Sequence, residues 1–308
     1  MPASLDITAR PHAPFRITFG GEPVAETVIH IQSPWLAGAP TEDLFPLAAP
    51  AEHAQGIALY RSGGLLLGHA QEPFLATELA ARTESLYRRI LGVTRGLHLY
   101  RIWNYVPQIN AETAGLENYR AFCAGRSLAF EAALGRQFQH QLPSASAVGC
   151  AGNRLDVIFV AGEAAPSHFE NPEQVPAYLY PPEHGPRSPS FARATVARDG
   201  ARTWTFISGT SAIKGHQTMA PGAFPAQLDC TVANLRLISQ TAGLGDDLGA
   251  AQGARRHFKI YLRHPQDLDF ARAQLACTLL RPSDVATYLQ ADICRAALDI
   301  EIEATLAT

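Results

Sequence analysis

A seven-residue segment near the middle of the chain recurs close to its end. Residues 155–161 read LDVIFVA, and residues 298–304 read LDIEIEA. The patterns before each segment also repeat, in the order β-hairpin, helix, strand, helix and strand. A duplicated unit constrains the fold because both copies must bury equivalent faces. We therefore predict an α+β protein of two fused modules, each a mixed β-sheet with helices packed on one face.

The predicted elements follow the same order in both halves. The first half contains a hairpin over 56–67, a helix over 72–91, a strand over 97–105, a helix over 116–134 and a strand at 155–161. The second half contains hairpin strands over 193–198 and 203–208, helices over 224–242 and 266–280, and strands over 257–263, 284–290 and 298–306.

The joint between the two copies is rich in proline and aromatic residues. Seven prolines fall between residues 166 and 189. Because proline stiffens a chain, such a segment favours an ordered loop over a site rather than a flexible linker. We divide the chain into an N-terminal module (1–161), a connecting loop (162–190) and a C-terminal module (191–308). Residues 1–50 are expected to wrap the surface of the first module.

Composition and motif content exclude several functions. A net charge of -3 without a run of Lys or Arg argues against nucleic acid or an anionic membrane as the main partner. No stretch approaches the ~20 apolar residues that span a bilayer, and no signal-peptide pattern or phosphate-binding glycine motif appears. The five cysteines and eleven histidines lack metal-ligand spacings. We expect a cytoplasmic enzyme for a small molecule, without metal or cofactor, as a monomer or small homo-oligomer.

The second copy of the repeat carries acids where the first is apolar. Strand alternation places Glu301 and Glu303 on one face, at the positions that Ile158 and Val160 occupy in the first copy. An amphipathic edge strand with a solvated acidic face is one interpretation. The duplication favours another, in which this face is buried against other structure. A buried carboxylic acid has a raised pKa, as a general acid near neutral pH requires.

Two arginines also lie in unusual settings. Arg126 falls in one narrow helical stripe with Tyr119 and Cys123, and it either reaches the helix edge, pairs with an internal acid or meets a ligand carboxylate. Arg263 shares its strand face with Lys259, and that face is either a polar outer surface or part of a site. The residue patterns leave these alternatives open.

Several segments, taken in order, resemble the chorismatase family. They are RIWNY (101–105), YRAFCAGR (119–126), YP (180–181), GPRSPSFARA (185–194), ISGT (207–210), YLRHP (261–265) and LQADICR (289–295). The resemblance runs from about residue 95 to 304. The final IEIEA (300–304) also resembles the last strand of the RidA (YjgF) deaminases, whose fold is related. The resemblance implies two RidA-like modules.

The resemblance also implies roles for individual residues. Chorismatases cleave the enolpyruvyl ether of chorismate, and Glu301 would protonate its methylene carbon. Arg126, Arg263, Tyr180 and Tyr119 would hold the two carboxylates of chorismate, because a guanidinium fork matches a carboxylate.

Two positions resemble the branch of the family that forms an aromatic product. Gly209 and Cys294 match that branch, so release of pyruvate to give 3-hydroxybenzoate is expected, with 4-hydroxybenzoate as a second candidate product. Hydrolysis to 3,4-dihydroxycyclohexa-1,5-dienoate, a RidA-type enamine or imine deaminase and a silent binding protein are the alternatives. Lys214 departs from the apolar residue of related chains and either borders the pocket or faces water.

Overall fold

The computed structural model describes residues 15–21, 28–46 and 52–308. Four α-helices occur in these ranges: α1 (Leu79–Val93), α2 (Asn118–Leu134), α3 (Phe224–Thr241) and α4 (Leu268–Thr278). The strands are β1 (Ile17–Phe19), β2 (Ile29–Ile31), β3 (Trp35–Gly38), β4 (Thr41–Glu42), β5 (Glu52–Ala54), β6 (Ile57–Ser62), β7 (Leu65–Pro73), β8 (His98–Pro107), β9 (Glu112–Thr113), β10 (Leu116–Glu117), β11 (Ser144–Cys150), β12 (Arg154–Gly162), β13 (Ser167–Phe169), β14 (Ala194–Asp199), β15 (Arg202–Thr210), β16 (Ile213–Lys214), β17 (Gln217–Thr218), β18 (Arg255–Leu262), β19 (Val285–Gln290) and β20 (Ile300–Ala307).

Two large sheets repeat one topology. The first has the order β11-β8-β12-β7-β6-β5, and the second contains the matching order β19-β18-β20-β15-β14-β13. Among the described strands, each sheet contains one parallel pair at the equivalent position, β11 with β8 in the first sheet and β19 with β18 in the second. The helices also enter at equivalent points of the chain. The predicted α+β fold of two modules with mixed sheets is confirmed.

The sheets face each other, and the helices cover their outer faces. One apolar cluster joins the inward faces, with Ile158 and Val160 from β12 against Phe206 and Tyr261 from the second sheet. A second cluster joins the first sheet to α1 and α2, and a third joins the second sheet to α3 and α4. The inward face of β20 is therefore buried, and the interpretation of Glu301 and Glu303 as residues of a solvated edge is wrong.

The described N-terminal strands contact the second module. β3 pairs with β19 at the edge of the second sheet, where it satisfies backbone groups that an edge strand leaves unpaired. Glu42 of β4 bonds to the ammonium of Lys259 on β18 at 2.8 Å. The expectation that residues 1–50 wrap the first module is thus wrong for β3 and β4. The boundaries at 161/162 and 190/191 stay a prediction.

Two local predictions also differ from the structure. Helix α1 begins at Leu79 rather than near residue 72, because β7 continues to Pro73 and pairs with β12 as far as Arg154. Strand β11 was not predicted, since its residues are small and have low strand propensity. Among the described residues, no helix has the length and apolarity to cross a bilayer.

Candidate active site

A cavity of about 610 Å³ lies between residues of both modules. Helix α2, strand β11, the connecting segment, strand β15 and strand β20 all contribute to its lining. The residues that line it include Tyr119, Arg126, Tyr180, Arg193, Cys294 and Glu301. The structure therefore brings together six of the seven predicted site residues, since Gly209 also lines the cavity and Arg263 does not.

Glu301 is a buried acid on the cavity wall. Glu301 is only 3% exposed, and its Oε1 atom has no hydrogen-bond partner among the described residues. Burial raises the pKa of this carboxyl to about 8, and the nearby Glu303 adds to the rise, while Arg101 and Arg193 oppose it. These surroundings favour the protonated form of Glu301 near neutral pH.

Glu303 lies two residues further along the same strand face and has the opposite charge state. Its carboxylate accepts hydrogen bonds from Arg101 Nη2 at 2.6 Å and Trp103 Nε1 at 2.7 Å, and Lys259 Nζ lies 2.9 Å away. Although burial alone raises the pKa of Glu303, Lys259 and Arg101 lower it below the usual value. The surroundings of the two acids thus favour the ionised form of Glu303 and the protonated form of Glu301.

Two buried guanidinium groups reach the cavity. Arg126 is 1% exposed and packs over the Phe122 ring at 5.1 Å, and its Nε atom has no hydrogen-bond partner in the described part of the chain. Arg193 donates to Tyr180 Oη at 2.8 Å, and its Nε atom lies 3.9 Å from Glu170 Oε2 without a hydrogen bond to any described residue. A buried cation without a full set of acceptors is costly. These arginines can therefore bind anionic groups of a ligand.

Arg263 does not line the cavity. Its guanidinium donates to Asp292 and to the backbone carbonyls of Leu298 at 2.8 Å and Arg295 at 2.9 Å. These acceptors belong to the segment between β19 and β20, which turns back over the end of β18. Because its donors are used there, Arg263 holds this segment in place. Its predicted contact with a ligand carboxylate stays a prediction, and the structure gives it no position on the cavity wall.

Gly209 and Cys294 border the acid. The pairing of β15 with β20 shifts register between Ile207 and Thr210, so Gly209 lies within an irregular stretch of the strand. A β carbon on Gly209 would lie 1.9 Å from Glu301 Oε1. Cys294 is partly buried, and burial, followed by the nearby Glu301, raises the pKa of its thiol to about 12. Cys294 is therefore a neutral thiol.

Lys214 pairs with Glu173 and does not line the cavity. Its ammonium is partly exposed, which agrees with the alternative in which it faces water.

Sequence reasoning missed Arg193 and the Arg101–Glu303 pair. Arg193 lies in segment 185–194, and the resemblance of that segment to chorismatases could have indicated it as a site residue. Arg101 and Glu303 are 202 residues apart, and only the packing of the two sheets brings them together.

The fold and the site define an α+β protein of two duplicated modules, with a protonated acid and buried arginines around a shared cavity. A family model described as "Chorismatase FkbO/Hyg5-like, N-terminal" matches residues 45–161. A 3-hydroxybenzoate synthase of Streptomyces hygroscopicus is 36% identical over 214 residues, covering 67% of this chain and 62% of that protein. A chorismatase of Streptomyces rapamycinicus is 35% identical over 263 residues, covering 82% of this chain and 77% of its own.

A crystal structure of a chorismatase superposes with a TM-score of 0.80 at 27% identity, covering 98% of this chain and 95% of that one. The chain belongs to the chorismatase family. A RidA protein from an Antarctic Psychrobacter matches 46% of this chain with a TM-score of 0.33 and 16% identity.

Proposed function

We propose that this protein cleaves the enolpyruvyl ether of chorismate to pyruvate and a hydroxybenzoate, with 3-hydroxybenzoate as the main product. The observation that carries the proposal is the buried carboxyl of Glu301, whose pKa is raised to about 8 and whose Oε1 atom has no hydrogen-bond partner among the described residues, in a cavity that Arg126 and Arg193 also line. The names of the two curated relatives support the same reaction.

Charge complementarity explains how the substrate is held. Chorismate carries one carboxylate on its ring and one on its enolpyruvyl group. Arg126 and Arg193 bind these two groups, and the hydroxyls of Tyr119 and Tyr180 donate further hydrogen bonds. Arg193 takes the role that the sequence assigned to Arg263. Two fixed cations also orient the ether toward Glu301, which lowers the entropic cost of reaction.

Glu301 starts the reaction as a general acid. Its proton forms a new C–H bond with the methylene carbon, using the π electrons of the enol double bond. An oxocarbenium ion remains, stabilised by the ether oxygen, and Glu301 becomes a carboxylate. Water adds to the cation and returns a proton to the Glu301 carboxylate. The resulting hemiketal breaks its C–O bond as its hydroxyl becomes the ketone of pyruvate, and the ring oxygen takes up a proton. The positive charge arises beside the newly formed carboxylate of Glu301, which stabilises it.

The ring oxygens decide which hydroxybenzoate is formed. The enolpyruvyl ether is at ring carbon 3 and a hydroxyl is at carbon 4. Keeping the oxygen at carbon 3 and losing the hydroxyl at carbon 4 as water gives 3-hydroxybenzoate. Ether hydrolysis uses one water molecule and aromatisation releases one, so the overall reaction neither consumes nor produces water. Gly209 and Cys294, which resemble the aromatising branch, support this outcome over release of the diene diol.

The test is incubation of purified protein with chorismate, with pyruvate measured by a coupled lactate dehydrogenase assay and ring products separated by chromatography. We expect equal amounts of pyruvate and hydroxybenzoate, mainly the 3-isomer. Folded protein that releases no pyruvate would overturn the proposal. Pyruvate accompanied only by the diene diol would retain ether cleavage and overturn the aromatic product.

A further inference from the structure

Three potential ligand side chains meet where the cavity reaches the surface. Glu183 and His184 lie in a short turn of the connecting segment, and His216 lies at the tip of the β16–β17 hairpin. His184 lines the cavity, whereas its neighbour Glu183 is exposed to solvent. The cluster therefore lies at the mouth of the cavity and joins two of its walls.

The three ligand atoms form a nearly equilateral triangle. His184 Nε2 lies 3.0 Å from His216 Nδ1, and Glu183 Oε1 lies 3.5 Å from the former and 3.4 Å from the latter. A tetrahedral zinc ion with bonds of about 2.0–2.1 Å places its ligands about 3.3 Å apart. The triangle thus has the size of one face of a zinc coordination tetrahedron.

Hydrogen bonds fix the hairpin that carries His216. Val175 N donates to Gly215 O at 2.9 Å, and Gly215 N donates to Glu173 O at 2.8 Å, which ties the connecting segment to the hairpin. Arg295 donates to His216 O at 2.8 Å from the other side. A preformed ligand set binds an ion with less loss of conformational entropy.

We propose that Glu183, His184 and His216 bind a zinc ion at the mouth of the cavity. Two imidazoles and one carboxylate are a usual zinc ligand set, and they leave a fourth coordination position for water. The sequence predicted no metal because the two histidines are 32 residues apart, outside the short spacings of known motifs. Arg295 and Arg120 lie near His184 and oppose a cation, so the carboxylate of Glu183 is needed to offset their charge.

The ion joins two walls of the entrance. His184, Gln217 and Thr218 all line the cavity, so a bond network between the turn and the hairpin restricts their movement. Substrate entry is slower with zinc bound, and this consequence rests on the proposed cleavage of chorismate.

Direct binding tests the site without any substrate. Metal-free protein carrying Cys277→Ser, which removes an exposed thiol, is titrated with zinc chloride by calorimetry. We expect one zinc per chain, and at least a tenfold loss of affinity in both His216→Ala and Glu183→Gln. His53→Ala, which changes an exposed histidine on β5, is the matched control and should bind as the parent does. Equal affinity in His216→Ala and the parent would overturn the site.

Two further measurements define the ion and its effect. Cobalt(II) in place of zinc should give the intense visible absorption of a tetrahedral centre, lost in His216→Ala; octahedral spectra would overturn the tetrahedral assignment. Zinc should lower chorismate turnover in the parent and have no effect in His216→Ala. If zinc binds tightly and this binding depends on His216, but chorismate turnover is unchanged, the zinc site is supported and its control of substrate entry is overturned.

Discussion

The backbone of Gly209 lies against the carboxyl of Glu301, so closely that a β carbon on the glycine would be 1.9 Å from Oε1. Real carbon–oxygen contacts require more than 3 Å, so residue 209 can be only glycine while the acid keeps this position. The irregular pairing between β15 and β20 brings the strand backbone to this point. One strand of the second sheet therefore forms the wall against which the acid is held.

Gly209→Ala should destabilise the fold by about 1–3 kcal/mol, because the added methyl group overlaps the carboxyl of Glu301. The same substitution in a Glu301→Ala background should cost much less, since the overlapping group is absent. Chemical denaturation of the four proteins in this double-mutant cycle measures the coupling. Equal costs in both backgrounds would contradict the contact.

Glu301→Gln should lower turnover by roughly 10²–10⁴-fold, since an amide cannot supply the proton. Affinity for chorismate should largely survive, because the arginines that bind its carboxylates are unchanged. Rapid-mixing kinetics and equilibrium binding measure the two effects separately.

Glu303→Gln is the comparison for that variant. It removes the charge that offsets buried Arg101 and Lys259, so it should destabilise the fold by about 3 kcal/mol. Turnover per folded molecule should fall less than in Glu301→Gln. A greater loss in Glu303→Gln, with Glu301→Gln fully active, would show that the acid is wrongly assigned.

The pKa of Glu301 predicts how activity depends on pH. The donor is protonated below its folded pKa of about 8, so turnover should stay level at lower pH and fall as pH rises through 8. Steady-state turnover from pH 6 to pH 10 measures this profile. A plateau that extends past pH 9 would count against Glu301 as the donor.

Stability should depend on the same group in a defined direction. The unfolded chain loses the Glu301 proton near pH 4.5, whereas the folded protein keeps it to about pH 8. Folding is therefore progressively disfavoured by this group as pH rises across that window. As pH rises between these two values, the free energy of unfolding of Glu301→Gln should increase relative to that of the parent. Above the folded pKa this difference should stay constant, as measured by denaturation at each pH. A pH-independent difference would be inconsistent with the raised pKa.

Arg126→Lys should raise KM for chorismate by about tenfold or more, because an ammonium cannot make the two-point contact of a guanidinium. Arg263→Lys is the matched control. It should lower stability through lost bonds to the backbone of residues 295 and 298, with a much smaller change in KM. Comparable KM effects in the two variants would restore Arg263 as a binding residue. Steady-state kinetics and thermal unfolding separate these outcomes.

Cys294→Ala should shift the product from hydroxybenzoate toward the diene diol. The thiol is neutral and fills part of the cavity wall, so its loss leaves room for water near the reacting carbon. Cys230→Ala, which changes a partly buried thiol outside the cavity lining, should leave the ratio unchanged. Chromatography of the ring products gives the ratio, and an unaltered value in Cys294→Ala would remove this role.

The boundaries of most elements followed from local patterns. Helix α3 and strand β18 begin within a few residues of their predicted starts, because their apolar spacing and their bounding turns lie in the sequence itself. Strand β11 has small residues and no strong pattern, so it was missed although Ser146 on it lines the cavity. The position of Arg263 outside the cavity lining could not be predicted, because strand alternation fixes which face a residue joins and gives no information about the loop that covers the strand end.

The sequence by itself determined the duplication, the two sheet-and-helix modules and the acid-bearing face of the last strand, since periodicity and repeated local order encode these directly. Only the tertiary structure decided the chemical states on that face. Glu301 and Glu303 are nearly identical in local sequence, yet Arg101 and Lys259 from distant strands ionise one and burial keeps the other protonated. A pKa depends on desolvation and on charges close in space, and these are fixed only when the two sheets pack together.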